Sequence, residues 1–262
     1  AMILERDLFH RNRKILKHAP STRGSDVRLT IDIELQRNVE DALRTKDLDG
    51  RPAVAIVCDV ASGEILALAS VPTYDPNELM APVSEKAYRE IFESPTRPLL
   101  CRAVRGEYPL GSVFKVVTSL AALRSGAIGL HTPIECAGKY KPDVKRFNCW
   151  IWNKYHGAHG PLMLPEALQR SCNVFFYNAA ARTGATEMVK QARDLGFGMP
   201  TEIDLPGETG GSVPGMAGLA AGRASGVTPN EVLNLSIGQG RLLVTPIQVM
   251  RMMLAVANGG RW

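Results

Sequence analysis

The chain has 262 residues, 45% of them hydrophobic, which suffices for one large domain or two smaller ones with a buried core. Its longest apolar stretches, such as residues 53–57 and 120–123, are far shorter than the roughly 20 residues of a membrane-spanning helix. The net charge of +5 is concentrated in residues 1–28, which contain seven Lys or Arg and three Asp or Glu. No basic stripe with interleaved aromatic residues follows, so no nucleic-acid partner is expected.

The first quarter of the chain predicts a basic segment, one helix and one hairpin. We interpret RNRKILKHAP, residues 11–20, as the solvated face of a short helix. Asp32 is expected to cap an amphipathic helix that follows it. The apolar runs AVAIVCDV and EILALAS are joined by Ala61-Ser62-Gly63, which predicts a β-hairpin with at least one buried face.

Later segments are predicted from residues that interrupt or end regular structure and from residues that cap helices. Residues 71–82 are dense in Pro and Asn and predict a loop. Residues 126–161 show little periodicity and predict a long irregular excursion. A helix is expected from Pro165 and another over VFFYNAAART, which Gly184 can end. The last helix has its cap at Thr245, followed by Pro and, three residues after the cap, Gln.

Ser112 and Lys115 stand where a long apolar helix begins, in the stretch EYPLGSVFKVVTSLAAL. Residues three apart share a helix face, so this hydroxyl and this amine can form a hydrogen bond. The apolar surroundings predict a dry, central helix, and dryness disfavours an ammonium ion. The lysine can then take the serine proton and make the hydroxyl a nucleophile. The alternative is a serine N-cap followed by a lysine that extends to solvent.

A second hydroxyl and a side-chain amide follow at Ser171 and Asn173, between two predicted helices. A Ser-x-x-Lys at the start of a buried helix, followed by Ser-x-Asn, is the paired signature of penicilloyl-serine transferases. From about Leu29 to Trp262 the chain resembles the transpeptidase domain of class B penicillin-binding proteins, most closely the cell-elongation type. The similar blocks, in the family's order, are LTIDIELQ, SGEILALASVPTYDPN, RAVRGEYPLGSVFK, SCNVFFYNAAARTG, SIGQGRLLVTPIQVM and ANGG.

The resemblance implies an α/β fold in which helices surround an antiparallel sheet. Residues 29–262 would form the transpeptidase domain, and residues 1–28 would be a basic linker or the remnant of an N-terminal pedestal region. The family works on the extracytoplasmic face of the bacterial inner membrane, in the periplasm, with a membrane anchor that this chain would lack. The implied partners are peptidoglycan stem peptides, β-lactam antibiotics and a membrane glycosyltransferase.

The resemblance also assigns roles within the site. Ser112 would attack the penultimate D-alanine of a stem peptide, or a β-lactam amide, and form an acyl-enzyme. Lys115 would be the general base, Ser171 would relay a proton to the leaving amine, and Asn173 would hold the substrate amide. An amine from a neighbouring stem peptide would then release the acyl group as a crosslink.

The family's third motif, Lys-Thr-Gly on an edge strand, has no counterpart in this sequence. The lysine after Asn173 is Lys190, which lies in a predicted helix. We therefore expect a chain that stops before that motif and lacks the C-terminal strands. Two strands alone make a marginal sheet with an exposed edge, so catalysis would be impaired unless another chain completes it.

Three cysteines and a histidine fall inside and just after the irregular excursion: Cys136, Cys149, His159 and Cys172. Their spacing is unlike a zinc finger, but three thiolates and an imidazole satisfy tetrahedral Zn²⁺ in a structural site. Some elongation-type relatives carry metal ligands at the matching places, and this pattern alone favours His159 over His156. If the segment is extended, Cys172 faces zinc while its two neighbours face substrate. The alternatives are a Cys136–Cys149 disulfide or plain buried thiols.

Two other functions are compatible with the motifs. A noncatalytic β-lactam-binding sensor or scaffold would be acylated without turnover, and a serine β-lactamase would need a deacylating base, for which Glu166 is the candidate. Separately, Gly238 and Gly240 in the GQG stretch indicate close backbone approach, whereas Gln239 between them has no assigned role.

Overall fold

The computed structural model describes residues 2–7, 12–18, 23–44, 51–80, 82–141 and 146–261. The chain divides into two compact units, residues 1–30 and residues 31–262. In the first unit, β1 (Met2–Arg6) and β2 (Asn12–His18) pair as an antiparallel hairpin. The helix predicted in this segment is therefore wrong over Asn12–His18, because its backbone groups bond across the hairpin to β1 and not along a helical turn.

The second unit opens with α1 (Ile33–Leu43), which Asp32 caps as predicted. The Asp32 carboxylate accepts two backbone N–H bonds of 3.0 Å at the start of the helix. Gln36 fixes this helix to the strand beside it, because its side-chain amide donates to the carbonyl of Leu68 at 3.1 Å and accepts from the Leu68 N–H at 2.7 Å. One polar side chain thus pairs both backbone groups of a strand residue.

The predicted hairpin consists of β3 (Ala53–Cys58) and β4 (Ile65–Val71), which pair antiparallel from Ala53 with Val71 onward. Within the described residues β3 pairs with β4 alone, and β5 (Ile134–Cys136) and β6 (Gly160–Leu162) form another two-stranded antiparallel sheet. The predicted α/β class with antiparallel pairing is confirmed, and the described strands form separate pairs.

The segment predicted as a loop after β4 contains one 3₁₀ turn, Pro76–Leu79. Two short helices then lead to the core: α2 (Glu85–Tyr88), which continues as the π turn Arg89–Glu93, and α3 (Arg102–Arg105). All of these elements are five residues or shorter. They act as connections between the hairpin and the helical part of the unit.

The centre of the second unit is α4 (Lys115–Arg124), which packs against α7 (Asn173–Thr183) and α8 (Ala185–Asp194). Its buried side chains contribute to two apolar clusters: Val117 and Ala121 to the one that contains α8, and Ala122 to the one that contains α7. The predicted dry, central helix is confirmed. No helix of the described residues has the length and apolarity to cross a membrane.

The excursion predicted to be irregular contains short regular elements. Besides β5 and β6, it holds α5 (Trp150–Tyr155), and α6 (Leu164–Gln169) follows it. The prediction missed β5, β6 and α5 because three to six residues are too few to show a period. The helix expected from Pro165 is confirmed as α6. Gly138 permits this tight packing, since a Cβ there would lie 2.6 Å from the carbonyl oxygen of Gly157.

The last two helices are α9 (Pro229–Ser236) and α10 (Pro246–Ala257), and the 3₁₀ turn Met216–Ala221 precedes them. The predicted start of α10 is confirmed, since the Gln248 amide oxygen accepts the Thr245 N–H at 3.0 Å. Gln248 is fully buried and also donates to the carbonyls of Met199 and Gly210 at 2.8 and 2.7 Å. This side chain therefore ties α10 to two loop segments.

Replacing Gln248 with Leu is expected to lower the free energy of unfolding by about 2–3 kcal/mol, because it leaves three backbone groups unpaired in a dry site. Urea denaturation followed by circular dichroism measures this loss. Gln169→Leu, at the exposed end of α6, is the control and should change stability by less than about 0.5 kcal/mol. Equal losses in the two variants would contradict the role of Gln248.

Candidate active site

Ser112 lies in a 3₁₀ turn, Gly111–Phe114, that leads directly into α4. The α-helix itself begins at Lys115, so the predicted helix start at Ser112 is a tighter turn. Side chains three apart eclipse in a 3₁₀ turn, which brings the serine and lysine side chains together. The Lys115 Nζ donates to the Ser112 Oγ at 3.1 Å. The pair expected from the Ser-x-x-Lys spacing is therefore formed.

Lys115 is 1% exposed, and its amine is surrounded by oxygen atoms. Besides Ser112, it donates to the Ser171 carbonyl, the Ser171 Oγ and the Asn173 Oδ1, each at 2.8 Å. The Ser171 hydroxyl in turn donates to the Ser112 Oγ at 3.0 Å. The structure thus gathers all four residues that the two motifs singled out into one hydrogen-bonded network. The Phe176 ring adds a contact that the sequence reading missed, with its centroid 5.4 Å from Nζ.

Ser171 and Asn173 reach Lys115 through an abrupt change of backbone direction after α6. Ser171 adopts the left-handed conformation with φ +48°, Cys172 is extended, and Asn173 is the first residue of α7. The expectation that all three residues are extended is wrong. Ser171 is left-handed and Asn173 is already helical, so only Cys172 is extended. Ser171 and Asn173 nevertheless face the amine, while the Cys172 Sγ lies 3.8 Å from the Cys149 Sγ.

Burial lowers the pKa of Lys115 from 10.5 to about 8, whereas negative charge on Cys172 and Cys149 acts in the opposite direction. At neutral pH roughly a tenth of the amine is therefore neutral, far more than for a lysine of ordinary pKa. A neutral amine 3.1 Å from a hydroxyl can accept its proton, which is the requirement for a serine nucleophile without histidine.

The three cysteines and the histidine predicted as zinc ligands form a compact cluster next to this network. The ligand atoms of Cys136, Cys149, His159 and Cys172 all lie within 4.8 Å of one another. The His159 Nδ1 is 3.7 Å from the Cys136 Sγ and 3.5 Å from the Cys149 Sγ. All three cysteines are fully buried free thiols. Hydrogen bonds from the neighbouring thiols lower the pKa of Cys149, so the cluster favours a thiolate.

His156 lies outside this cluster, because it ends α5 and places its ring edge-on to Trp152 at 5.5 Å. Trp150 supports the site from the side: its indole N–H donates to the Arg170 carbonyl at 2.9 Å, and its ring meets His159 edge-on. Both tryptophans therefore make packing contacts in this segment.

The two remaining candidates lie in ordinary helical positions. Lys190 is on α8, 2.9 Å from the Glu187 carboxylate, and so belongs to no strand. The Glu166 carboxylate accepts the Met163 N–H at 3.2 Å and thereby caps α6. Neither side chain takes part in the network around Lys115.

The family model described as penicillin binding protein transpeptidase domain matches residues 53–262. The chain therefore belongs to the penicillin-binding protein transpeptidase domain family. This match includes all four residues of the network and all four of the thiol–imidazole cluster. It excludes α1, although the predicted resemblance extended to it.

Similar curated proteins include the peptidoglycan D,D-transpeptidase MrdA of Acinetobacter baumannii and the peptidoglycan D,D-transpeptidase PbpA of Mycobacterium tuberculosis. MrdA is 33% identical over 251 residues, or 94% of this chain and 36% of MrdA. PbpA is 32% identical over 266 residues, or 98% of this chain and 51% of PbpA. The chain thus spans between about a third and a half of the length of these relatives.

Similar solved structures include a complex of penicillin-binding protein PBP2 with MreC from Helicobacter pylori, at a TM-score of 0.78 and 26% identity over 98% of this chain and 46% of that one. The ceftriaxone acyl-enzyme of penicillin-binding protein A from M. tuberculosis has a TM-score of 0.78 and 29% identity, over 91% and 52%. A peptidoglycan synthase complex that coordinates polymerization and crosslinking has a TM-score of 0.75 and 32% identity, over 98% and 46%.

The lowered pKa of the Lys115 amine predicts how the free energy of unfolding depends on pH. The pKa of Lys115 is about 8 in the folded chain against an ordinary 10.5, so between these pH values the unfolded chain binds more protons. The free energy of unfolding of the native chain, minus that of Lys115→Met, is therefore expected to rise as the pH increases from about 8 to about 10. Urea titrations of both proteins across this range measure the difference. A difference that falls or stays constant would contradict the lowered pKa.

Proposed function

We propose that this chain is the acyl-transfer domain of a serine-type peptidoglycan D,D-transpeptidase. The observation that carries the proposal is the closed network in which a buried Lys115 amine contacts Ser112, Ser171 and Asn173. Membership of the transpeptidase domain family and two relatives named peptidoglycan D,D-transpeptidase support it. Residues 29–262 would form this domain, and residues 1–28 a basic linker to the region before it.

In the proposed first half-reaction, the Ser112 Oγ attacks the carbonyl carbon of the penultimate D-alanine in a stem peptide. Its proton passes to the neutral Lys115 Nζ, 3.1 Å away. The tetrahedral intermediate then expels terminal D-alanine, whose amine takes a proton through the Ser171 hydroxyl, 2.8 Å from Nζ. The product is an ester between Ser112 and the shortened peptide.

In the second half-reaction, an amine of a neighbouring stem peptide attacks this ester and gives up a proton to Lys115. The lysine passes this proton to the departing Ser112 Oγ, 3.1 Å away, which restores the hydroxyl and the neutral amine and leaves a new peptide bond. Asn173 has a separate role: Lys115 occupies its Oδ1, which leaves the amide hydrogens on Nδ2 to hold a substrate carbonyl. A β-lactam would enter at the first step, because its strained amide presents the same carbonyl to Ser112.

We propose stem peptides and β-lactams as ligands, the extracytoplasmic face of the inner membrane as the location, and a membrane anchor outside this chain. A membrane glycosyltransferase is the proposed catalytic partner. The similarity to a synthase complex that coordinates polymerization and crosslinking supports this partner. The similar PBP2 structure in complex with MreC supports further contacts with cell-wall assembly proteins.

The acylation experiment uses a fluorescent penicillin with the native chain, Ser112→Ala and Ser119→Ala. We expect one covalent adduct on the native chain and none on Ser112→Ala, because Ser112 is the proposed nucleophile and Ser171 the proposed proton relay. Intact mass spectrometry and in-gel fluorescence measure it. Ser119, one turn after Lys115, donates to a carbonyl of its own helix at 2.7 Å and is the control that should keep the adduct.

An adduct on Ser112→Ala would overturn the assignment of the nucleophile. A native chain that forms no adduct would overturn the proposed function of this chain. A native chain that forms the penicillin adduct but never exchanges the terminal D-alanine of a stem peptide for a D-amino acid would favour the sensor or scaffold alternative.

We also propose that Cys136, Cys149, His159 and Cys172 bind one structural Zn²⁺. The distances between ligand atoms support this, because a tetrahedron with Zn–S of about 2.3 Å and Zn–N of about 2.1 Å has edges of roughly 3.5–3.8 Å. The two distances from the His159 Nδ1 to sulfur, 3.5 and 3.7 Å, and the 3.8 Å between the Cys149 and Cys172 sulfurs fall in that range. Bound zinc would supply a rigid link between the excursion and Cys172, which lies between Ser171 and Asn173.

The zinc proposal is tested by elemental analysis of protein that has been purified without exposure to a chelator. We expect one zinc per chain in the native protein and much less in Cys172→Ser, because a hydroxyl is a poor replacement for a thiolate ligand. Cys58→Ser, a partly buried cysteine in β3, is the matched control and should retain the metal. Substoichiometric metal in the native protein, or equal content in the two variants, would overturn the four-ligand site.

A further inference from the structure

The segment that follows α9 contacts the nucleophile turn at a point that neither motif includes. The backbone N–H of Gly111, the residue before Ser112, donates to the carbonyl of Gly238 at 2.9 Å. Gly111 and Gly238 both have left-handed backbones, with φ +62° and +68°. The two chains therefore meet backbone to backbone, without an intervening side chain.

Gly238 has no room for a side chain at this contact. A Cβ built there would overlap the carbonyl oxygen of Gly111 and lie 2.6 Å from its nitrogen. Both neighbours are backbone atoms, so no rotamer change can relieve the overlap. The close approach expected from the GQG stretch is thus confirmed at Gly238, and its partner is the residue adjoining Ser112.

The last residue of α9, Ser236, leads into this segment and is held to α4 on the other side of Ser112. The Thr118 hydroxyl, fully buried and one turn beyond Lys115, donates to the carbonyl of Ser236 at 2.9 Å. Ser236 itself is fully buried. Residues 236–238 therefore bond to the nucleophile segment both before Ser112 and after Lys115, and span the Ser-x-x-Lys pair.

We infer that residues 236–238 position the nucleophile, and that Gly238 is the positioning residue because it sets the depth of the Ser112 turn. This inference rests on the proposed acyl transfer by Ser112. A 3₁₀ turn has poorer hydrogen-bond geometry than an α-helix and needs outside support to hold one conformation. The Gly111–Gly238 bond supplies that support where the hydroxyl must stay within reach of the amine. Displacement of a reacting atom by roughly 1 Å is enough to cost about 10²-fold in rate.

The test compares Gly238→Ala with Gly240→Ala. Both replace a glycine of positive φ two residues apart, so both carry the same left-handed strain, with φ +68° and +83°. A Cβ at Gly240 meets only the Asn234 Cβ, at 3.3 Å, and no backbone atom of the nucleophile turn. Stopped-flow acylation by fluorescent penicillin separates the dissociation constant of the initial complex from the acylation rate constant.

For Gly238→Ala we expect the acylation rate constant to fall about 10- to 100-fold relative to Gly240→Ala, with the dissociation constant changed less than about twofold. Amide hydrogen exchange should show faster exchange of the Gly111 N–H in Gly238→Ala only, since its acceptor is displaced. Thr118→Val, which removes the second hydrogen bond but keeps the shape, should lower the rate constant less.

Equal acylation rate constants in the two alanine variants would overturn the inference, as would a loss confined to the dissociation constant. A native chain that forms no adduct speaks against the proposed function, and the two failures remain distinguishable. Even if the native chain forms no adduct, the positioning contact can still be tested. It is overturned if amide hydrogen exchange of the Gly111 N–H is the same in Gly238→Ala as in the native chain. If Gly238→Ala does not fold, Thr118→Val decides: an acylation rate constant equal to native overturns the inference.

Discussion

The site depends on one interaction, the burial of the Lys115 amine among oxygen acceptors. An ammonium ion at 1% exposure is costly unless its hydrogens are bonded, and four oxygen atoms lie within 3.1 Å to receive them. The same burial lowers the pKa of the amine to about 8. Stability and reactivity are therefore in tension here, because one of the four oxygens that bond to the charged amine is the Ser112 hydroxyl that the neutral amine would deprotonate.

This arrangement places demands on three separate parts of the chain. The 3₁₀ turn must present Ser112, the Ser171–Asn173 segment must turn sharply, and residues 236–238 must lie against Gly111. A helix alone would supply only the Ser112–Lys115 pair. Because the three segments come from distant positions in sequence, the two apolar clusters on either side of α4 determine how closely they meet.

Cys172 connects the network to the thiol–imidazole cluster. Its neighbours on both sides bond to Lys115, while its own sulfur lies 3.8 Å from that of Cys149. Cys172 therefore places the thiol–imidazole cluster and the Lys115 network next to each other along the chain.

Much of the fold and site was readable from the sequence where the signal is local. Asp32 and Thr245 marked helix starts, the β3–β4 hairpin followed from apolar runs around a turn, and Ser112 with Lys115 followed from spacing. The helix predicted over Asn12–His18 and the irregular segment before β6 were misread, because strand pairing and elements of three to six residues leave no period in the sequence.

The sequence by itself determined which residues are able to do the chemistry, because a hydroxyl, an amine and three thiols are properties of single side chains. Only the tertiary structure decided which of them meet: His159 joined the cysteines and His156 did not, and Gly238 came to lie against Gly111. The physical reason is that burial and contact between residues more than 50 positions apart arise from packing of the whole unit, which no local pattern encodes.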